Sequence, residues 1–282
     1  MLYIVAPVHN RAAVTARFVD LLAQQSHQDF TLVLVDDGCT DDTVAIARSM
    51  LPPRQLVTLT GDGQLWWAGA LQMAYAYLQA PRLTAGDAVL ITNDDVAFDA
   101  DFLTRGLAVL AAQPGACIQA MGVDQVSGAV DRGAVADVRR LRFRAAEPGE
   151  AANCLSTRGL LMGAHTWLRS GGFRPRWLPH YLSDYEFTLR LQRQGVRLLV
   201  DDSFSARIDP GLTGLDRPLQ AGLRRYWADA LSNRAKFNPK HWSAFVLMTC
   251  PGWVAPLHLL RIWLGFARSL LLAALPNRTR AS

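Results

Sequence analysis

The chain has 282 residues, of which 50% are hydrophobic and 19% are charged. This composition supplies enough apolar side chains for a substantial core and excludes an intrinsically disordered chain. The four cysteines show no CxxC spacing, so neither a zinc site nor a disulfide framework is indicated. The sequence enters a strand-like segment without a charged leader, so we expect a cytoplasmic protein.

The net charge of +5 is distributed unevenly along the chain. From Arg217 onward, ten basic residues accompany one acid, Asp229, so this segment has a charge of +9 and the remainder −4. A segment this basic is typical of a surface that meets an anionic partner. The candidates are a membrane surface, a phosphorylated lipid and nucleic acid.

Strand-like and helix-like segments alternate along the N-terminal part of the chain. Short apolar runs predict strands at 2–6, 30–35, 56–60 and 89–92. Apolar residues at helical intervals predict helices at 14–25, 43–50 and 68–79. Repetition of strand, polar loop and helix is typical of a wound, parallel sheet, so we predict an α/β fold.

Acidic clusters follow two of the predicted strands. Asp36 and Asp37 end the second strand, and Asn93, Asp94 and Asp95 end the fourth. Ligands of open parallel sheets bind at the carboxyl ends of the strands, where carboxylates suit a hard cation and the phosphates that it holds. The alternative is that Asp94 and Asp95 cap the helix that begins near Asp101.

The sequence lacks the usual glycine-rich phosphate loops. No GxGxxG follows the first strand, and the chain has no GxxxxGK[ST]. A nucleotide-binding sheet of this kind would recognise its ligand through acids and a metal. A carboxylate such as that of Asp36 can accept a hydrogen bond from N3–H of uracil or thymine.

Four ordered motifs within about residues 2–209 resemble the signatures of the inverting family-two glycosyltransferases with a GT-A fold. They are 7–11 (PVHNR), 35–41 (VDDGCTD), 93–95 (NDD), and 178–187 (LPHYLSDYEF), the last preceded by 159–162 (GLLM) and 171–173 (GGF). The segment 63–70 (GQLWWAGA) further resembles a bacterial rhamnosyltransferase-like subgroup.

The resemblance implies a GT-A type, Rossmann-like, mostly parallel sheet flanked by helices, with a helical C-terminal extension. We expect the catalytic domain at 1–215 and the basic extension at 216–282. The implied reaction is inverting transfer of a sugar from a nucleotide diphosphate sugar, with dTDP-L-rhamnose as the first guess. The implied acceptor is a glycan or lipid-linked glycan of bacterial surface polysaccharide or lipopolysaccharide assembly.

The resemblance also assigns roles to individual residues. Asp184 matches the catalytic base, and Glu186 would orient it or contact the acceptor. Asp184 could also cap the helix of residues 185–194, and the two roles are compatible. Asn93 and Asp95 take the outer places of the DxD motif that binds Mg²⁺ or Mn²⁺, with Asn93 replacing the usual first Asp. Residues assigned to the nucleotide-sugar pocket are Ala6, Pro7, His9, Arg11, Asp36, Asp37, Asp62, Trp67, Gly69 and Asp94. Residues assigned to the acceptor are Gly159, His180 and Tyr181.

Three other functions fit the sequence less well. A sugar nucleotidyltransferase would require a glycine-rich basic loop after the first strand, and PVHNRAAV lacks one. A non-catalytic binding module for glycans or nucleotide sugars would have lost the acids, yet Asp36, Asp95 and Asp184 are all present. Nucleic-acid binding would explain the basic C-terminal segment but not these acids, so we expect no nucleic-acid partner.

The C-terminal segment contains two apolar stretches. Residues 243–260 are interrupted by Pro251, Gly252 and Pro256, which argues against a membrane-spanning helix. Residues 257–275 form an amphipathic pattern with Arg261 and Arg268 seven residues apart. This pattern is compatible with a helix in a membrane interface, on the cytoplasmic face of the inner membrane, and equally with packing on the catalytic domain or in a homodimer.

Overall fold

The computed structural model describes residues 1–209 and 223–274. Within these ranges the strands are β1 (Leu2–Val8), β2 (Phe30–Asp36), β3 (Leu56–Thr60), β4 (Ala88–Ile91), β5 (Val96–Ala97), β6 (Cys117–Asp124), β7 (Val130–Asp131), β8 (Ala134–Asp137), β9 (Arg142–Ala145), β10 (Leu160–Gly163) and β11 (Leu198–Ile208). The helices are α1 (Ala12–Ala23), α2 (Thr43–Met50), α3 (Trp66–Tyr77), α4 (Phe102–Ala112), α5 (Ala164–Ser170), α6 (Ser183–Arg193), α7 (Leu223–Ala230), α8 (Pro239–Thr249) and α9 (Ala255–Ala274).

One large sheet organises the described part of the chain. Its strand order is β3-β2-β1-β4-β10-β6-β11-β5, with β7 paired to β6. Strands β3, β2, β1 and β4 are mutually parallel, whereas β10 runs antiparallel to both of its neighbours. The predicted α/β sheet is therefore confirmed, and β10 adds a reversal at its centre.

The central strands are apolar because helices cover both faces of the sheet. All seven residues of β2 are buried. In β1, Leu2, Ile4 and Ala6 pack in a core cluster with α1 and α4, while Val5 packs on the other face with α3 and α5. Alternate side chains of a strand point to opposite faces, so a continuous apolar run is what a strand buried on both faces requires.

Most predicted elements lie close to their expected positions. Helix α2 and strand β3 have the predicted bounds. Helix α3 begins two residues before the predicted start, at Trp66. The last strand, β11, runs from Leu198 to Ile208 with an irregularity between Asp201 and Ser205.

The C-terminal helices pack on the sheet domain. Phe245 of α8 is fully buried, with its ring 5.8 Å from that of Phe143. Helix α9 then packs against α8 through a hydrogen bond from Trp263 Nε1 to Ser243 Oγ, at 3.1 Å. The predicted boundary between residues 215 and 216 lies outside the described residues.

In the part of the chain that the structure describes, one helix is long and apolar enough to cross a membrane, over Ala255–Ala273. Length and composition alone are weak support for a span, since they do not distinguish a helix that crosses a bilayer from one that lies on its surface. The helix contains Arg261 and Arg268, both exposed.

Candidate active site

Three parallel strands bring their carboxyl ends to one edge of the sheet. Strand β1 lies between β2 and β4, with Val8 opposite Asp36 and Val5 opposite Ile91. The loops that follow these strands are therefore neighbours, as the sequence predicted. This edge is where ligands of open α/β sheets bind.

Arg11 and the acids after β4 form a buried ionic cluster at that edge. Arg11 lies 3.1 Å from Asp94 and 3.5 Å from Asp95 through its two terminal nitrogens. Thr15 Oγ1 donates a hydrogen bond of 2.9 Å to Asp94 Oδ2. Burial raises the pKa of Asp94, and the Arg11 cation and the Thr15 hydroxyl oppose that rise. Asp94 is thus committed to Arg11 and Thr15, and through them it holds α1 at the site.

The oxygens of Asn93 and Asp95 fit a divalent cation. Asn93 Oδ1 and Asp95 Oδ1 are both buried without a hydrogen-bond partner. Unpaired buried oxygens are costly unless something else satisfies them, and hard cations such as Mg²⁺ and Mn²⁺ prefer oxygen ligands. Among residues 1–209 and 223–274, no group of three or more His, Cys, Asp or Glu side chains is arranged to hold a metal ion by itself. A cation here would need further oxygens from a ligand, and a diphosphate can supply them.

Asp36 and Asp37 are adjacent in sequence but have different surroundings. Asp36 Oδ1 accepts a hydrogen bond from the backbone N–H of Cys39 at 2.7 Å. Asp37 accepts three backbone N–H groups, from Gly63 and Leu65 on Oδ1 and from Trp66 on Oδ2, at 2.9 to 3.1 Å. Asp37 therefore anchors the loop that leads into α3. The place of Asp37 in a nucleotide-sugar pocket stays a prediction.

The loop after β3 packs tightly against the loop after β2. Gly38 has φ +69°, and a Cβ added to it would lie 2.8 Å from the backbone nitrogen of Gly63. A side chain at position 38 would separate the two loops, so glycine is required there. Asp62, in the second loop, is exposed and accepts a hydrogen bond from Gln64 N at 2.9 Å. His9 Nδ1 lies 2.6 Å from the Asp37 carbonyl oxygen, which joins the β1 loop to the same structure.

The other residues assigned to the donor pocket are buried or partly buried in contacts within the protein. Ala6 is fully buried within β1, and Pro7 is partly buried. Trp67 donates a hydrogen bond from Nε1 to Thr157 Oγ1 at 3.1 Å. Gly69 is buried in α3, where an added Cβ would lie 3.2 Å from Leu65 Cβ. Gly69 therefore serves close packing in this helix.

Asp184 lies in the first turn of α6. Part of the residue is exposed, but its carboxyl group is buried, and this burial raises the pKa of the carboxyl group from 3.8 to about 6. The N–H of Tyr185, which donates to Oδ1 at 2.9 Å, opposes the rise. The positive charge of Arg158 further opposes the rise, and the negative charge of Asp131 adds to it. A carboxyl group with this pKa is deprotonated near neutral pH and more basic than an ordinary Asp.

Glu186 is buried in an ion pair. Its Oε1 lies 2.7 Å from Arg190 Nε and its Oε2 lies 3.1 Å from Arg190 Nη2. Arg190 also donates to the carbonyl oxygens of Ser170 and Gly172. Both carboxylate oxygens of Glu186 are thus used to fix α6 against the turn after α5. The two roles expected of Glu186, orienting Asp184 and contacting the acceptor, stay predictions.

The residues assigned to the acceptor all precede Asp184 in the chain. Gly159 has φ +78°, and a Cβ there would lie 2.7 Å from Ala120 Cβ. His180 packs against Tyr181, with ring centroids 4.6 Å apart, and against Trp66, at 6.0 Å. The carbonyl of Pro179 accepts a hydrogen bond from Ala68 N at 2.9 Å. These contacts join the start of α3, on the donor side, to the loop before the proposed base.

The C-terminal segment places two further residues beside Trp66 and His180, which the sequence did not reveal. The Arg234 guanidinium lies 5.9 Å from the Trp66 ring. The charge of His241, at the start of α8, contributes to lowering the pKa of His180, after the larger effect of burial. We define the acceptor wall as Trp66, His180, Tyr181, Arg234 and His241. The local signal that could have pointed to it is the basic character of the chain after Arg217.

Comparisons with known proteins agree with this geometry. Residues 3–163 match the family described as Glycosyl transferase family 2. PGL/p-HBAD biosynthesis glycosyltransferases of Mycobacterium bovis and Mycobacterium tuberculosis are 46% identical to the chain over 52 residues. That match covers 18% of this chain and 20% of the length of each mycobacterial protein.

Two solved structures share the fold over nearly the whole chain. The mannosyltransferase PcManGT from Pyrobaculum calidifontis, in complex with GDP-Man and Mn²⁺, has a TM-score of 0.59 at 18% identity, over 97% of this chain and 72% of that one. S. aureus TarS 1–349 in complex with UDP-GlcNAc has a TM-score of 0.59 at 12% identity, over 95% and 74%. The GT-A type fold is thereby confirmed. Because the family match covers more than half of the sequence, the chain belongs to glycosyl transferase family 2.

Proposed function

We propose that the protein transfers a sugar, with inversion at the anomeric carbon, from a nucleotide diphosphate sugar to an acceptor hydroxyl. The observation that supports this most strongly is the carboxyl group of Asp184, whose pKa burial raises to about 6. Asp184 would take the proton of the acceptor hydroxyl as its oxygen attacks the anomeric carbon. A base on the acceptor side and charge neutralisation on the leaving-group side suffice for a single displacement.

The donor would bind at the edge formed by β1, β2 and β4. Asp36, whose Oδ1 accepts a hydrogen bond from Cys39 N, is the candidate for contacting the nucleobase of the donor. Arg11, which pairs with Asp94 and Asp95 after β4, would supply positive charge at the same edge. Asn93 and Asp95 would hold Mg²⁺ or Mn²⁺, which would neutralise the diphosphate leaving group. The first guess for the donor is dTDP-L-rhamnose, and its support is the likeness of residues 63–70 to a rhamnosyltransferase-like subgroup.

The acceptor would be a glycan or lipid-linked glycan of bacterial surface polysaccharide or lipopolysaccharide assembly. The support is the acceptor wall, where cationic Arg234 lies over Trp66 and two histidines lie close together. Aromatic and cationic side chains together suit a sugar ring and an anionic group near it. We propose that the protein acts on the cytoplasmic side of the inner membrane.

The test is release of nucleoside diphosphate from a panel of donors, with dTDP-rhamnose, UDP-hexoses and GDP-mannose offered in turn. Each reaction is run with Mn²⁺ and with EDTA. We expect one donor to be turned over, with the rate lost in EDTA. An acceptor-free assay reports slow hydrolysis, and isothermal titration calorimetry reports donor binding independently of turnover.

Two outcomes would contradict the proposal. Tight donor binding with no turnover, even with lipid-linked glycan acceptors, would identify a binding module. Incorporation of a sugar 1-phosphate into a nucleotide diphosphate sugar, with release of pyrophosphate, would identify a nucleotidyltransferase.

A further inference from the structure

One face of α9 is apolar and exposed. The intervals between Leu257, Leu260, Leu264 and Leu271 are three, four and seven residues, the spacing of a single helix face. These side chains are between 48% and 69% exposed, and neighbouring Leu272 is 59% exposed. Within residues 1–209 and 223–274 nothing covers this face. We call these five leucines the leucine face.

The opposite face of α9 is fixed to the rest of the protein. His258 is buried, and its Nε2 lies 2.9 Å from the carbonyl oxygen of Arg139. Trp263 Nε1 donates to Ser243 Oγ, and Phe266 packs on Trp227 with ring centroids 5.4 Å apart. These contacts set the rotation of the helix about its axis. The leucine face therefore points outward because of packing.

Positive charges accompany the leucine face. Arg261 and Arg268 are exposed and lie on the same side of the helix as Leu257 and Leu264. Helix α9 contains no Asp or Glu, and the chain from Arg217 onward has a charge of +9. Trp253, 74% exposed, lies just before the helix begins. Leucine, tryptophan and arginine on one surface are the composition of a helix that lies in the interface of an anionic bilayer.

The same charges disfavour two other surroundings of the leucine face, namely a second copy of this chain and the hydrocarbon interior of a bilayer. A second copy of this chain packed on the leucine face around a two-fold axis would bring Arg261 and Arg268 near their own equivalents. A membrane-spanning orientation would place both arginines in the hydrocarbon region and would require the contacts of His258 and Trp263 to break. In the interface, by contrast, arginine side chains extend to the lipid phosphates while the leucines enter the acyl boundary.

We propose that the leucine face of α9 docks the protein onto an anionic phospholipid surface. This docking also has a geometric consequence for the acceptor. Ser243, the partner of Trp263, lies two residues after His241 of the acceptor wall. A bilayer under α9 would thus lie next to the acceptor side, where a lipid-linked acceptor would be presented. Only this consequence depends on the proposed function, because docking needs neither donor nor acceptor.

The test is cosedimentation of the full chain with phosphatidylcholine vesicles that contain about 30% phosphatidylglycerol. We expect wild type to sediment with these vesicles and to bind pure phosphatidylcholine vesicles at least about fivefold more weakly. The variant Leu260→Glu/Leu264→Glu should reduce the partition coefficient at least about tenfold, because two leucines leave the acyl boundary. Arg261→Glu/Arg268→Glu should weaken binding to anionic vesicles and flatten its salt dependence.

Val126→Glu is the matched control, since Val126 is 80% exposed and lies in the turn between β6 and β7. It should bind vesicles like wild type, and all variants should unfold at the wild-type temperature. The proposal is overturned if wild type stays in the supernatant, or if the leucine variant sediments like the control. It is also overturned if sedimentation velocity without lipid shows a dimer that the leucine variant dissociates, or if carbonate washing fails to release the protein from membranes.

Discussion

Single residues at the carboxyl ends of β2 and β4 differ in what their oxygens contact. Asp37 accepts three backbone N–H groups, and Asp94 pairs with Arg11 and Thr15. Asn93 and Asp95 keep one buried oxygen each without a hydrogen-bond partner. The sequence predicted that these polar residues would meet at one edge. It could not predict which are anchors and which are free for a ligand, because that depends on the loops that fold around them.

Replacement of Asn93 tests the cation site at the scale of one residue. Asn93→Asp adds a carboxylate beside Asp95, so the Mn²⁺ concentration for half-maximal nucleotide release should fall by about three- to tenfold. Asp95→Asn should raise it. Mn²⁺ titration calorimetry in the presence of a nucleoside diphosphate gives the same comparison without turnover. If neither variant shifts the Mn²⁺ dependence, the cation is not bound at these two residues.

At the scale of elements, regular segments were predictable and their directions were not. Helix α2 and strand β3 have their predicted bounds. In α2, Thr43 and Ala47 are buried four residues apart on one helix face, and in β3 the apolar Leu56 and Leu59 are partly buried against the core. Strand β10 has only four residues, and its apolar pattern is the same whether the strand runs parallel or antiparallel to its neighbours. Docking of α8, which places His241 near His180, depends on contacts of Phe245 with Phe143 across a hundred residues. Periodicity contains no information about such contacts.

The Glu186–Arg190 pair tests how α6 is held. Glu186→Ala removes one partner of a buried pair and should lower the free energy of unfolding by about 3 kcal/mol, because Arg190 is left as a buried, unpaired cation. Urea denaturation measures this change. The matched control is Glu150→Ala, which removes an exposed pair with Arg144 and should leave the midpoint almost unchanged. Equal midpoints for the two variants would mean that the buried pair does not hold α6.

At the scale of the whole molecule, the C-terminal helices and the sheet domain share a core. Phe245 is fully buried and α8 is placed beside the loop before Asp184. The sequence indicated a separate basic extension, and its charge and amphipathic pattern were visible. Its contact with the start of α3 was not visible, since Arg234 reaches Trp66 only through tertiary packing.

Truncation of Phe245 tests this shared core. Phe245→Ala should destabilise the protein by about 3–5 kcal/mol, the range for a large buried aromatic side chain. Phe237→Ala is the control, because Phe237 is 75% exposed and lies in the same segment. The unfolding transition should remain single and cooperative in both variants. Separate transitions for the sheet domain and the C-terminal helices would contradict a shared core.

The most direct measurement is the pH dependence of kcat/KM for wild type and Asp184→Asn with the donor that is turned over. The base must be deprotonated, and burial raises its pKa to about 6. Wild-type kcat/KM should therefore increase about tenfold per pH unit below pH 6 and level off above it, and Asp184→Asn should lose about 10²- to 10⁴-fold with no such step.

Stability provides the control for folding. A carboxyl pKa raised from 3.8 to about 6 means that the folded state holds this proton more tightly than the unfolded state does. The stability contributed by the protonated group is present below pH 3.8 and is lost as pH rises through about 6. At pH 7.5, Asp184→Asn should consequently unfold at or above the wild-type temperature. A folded Asp184→Asn protein with wild-type kcat/KM and an unchanged pH step would contradict the account.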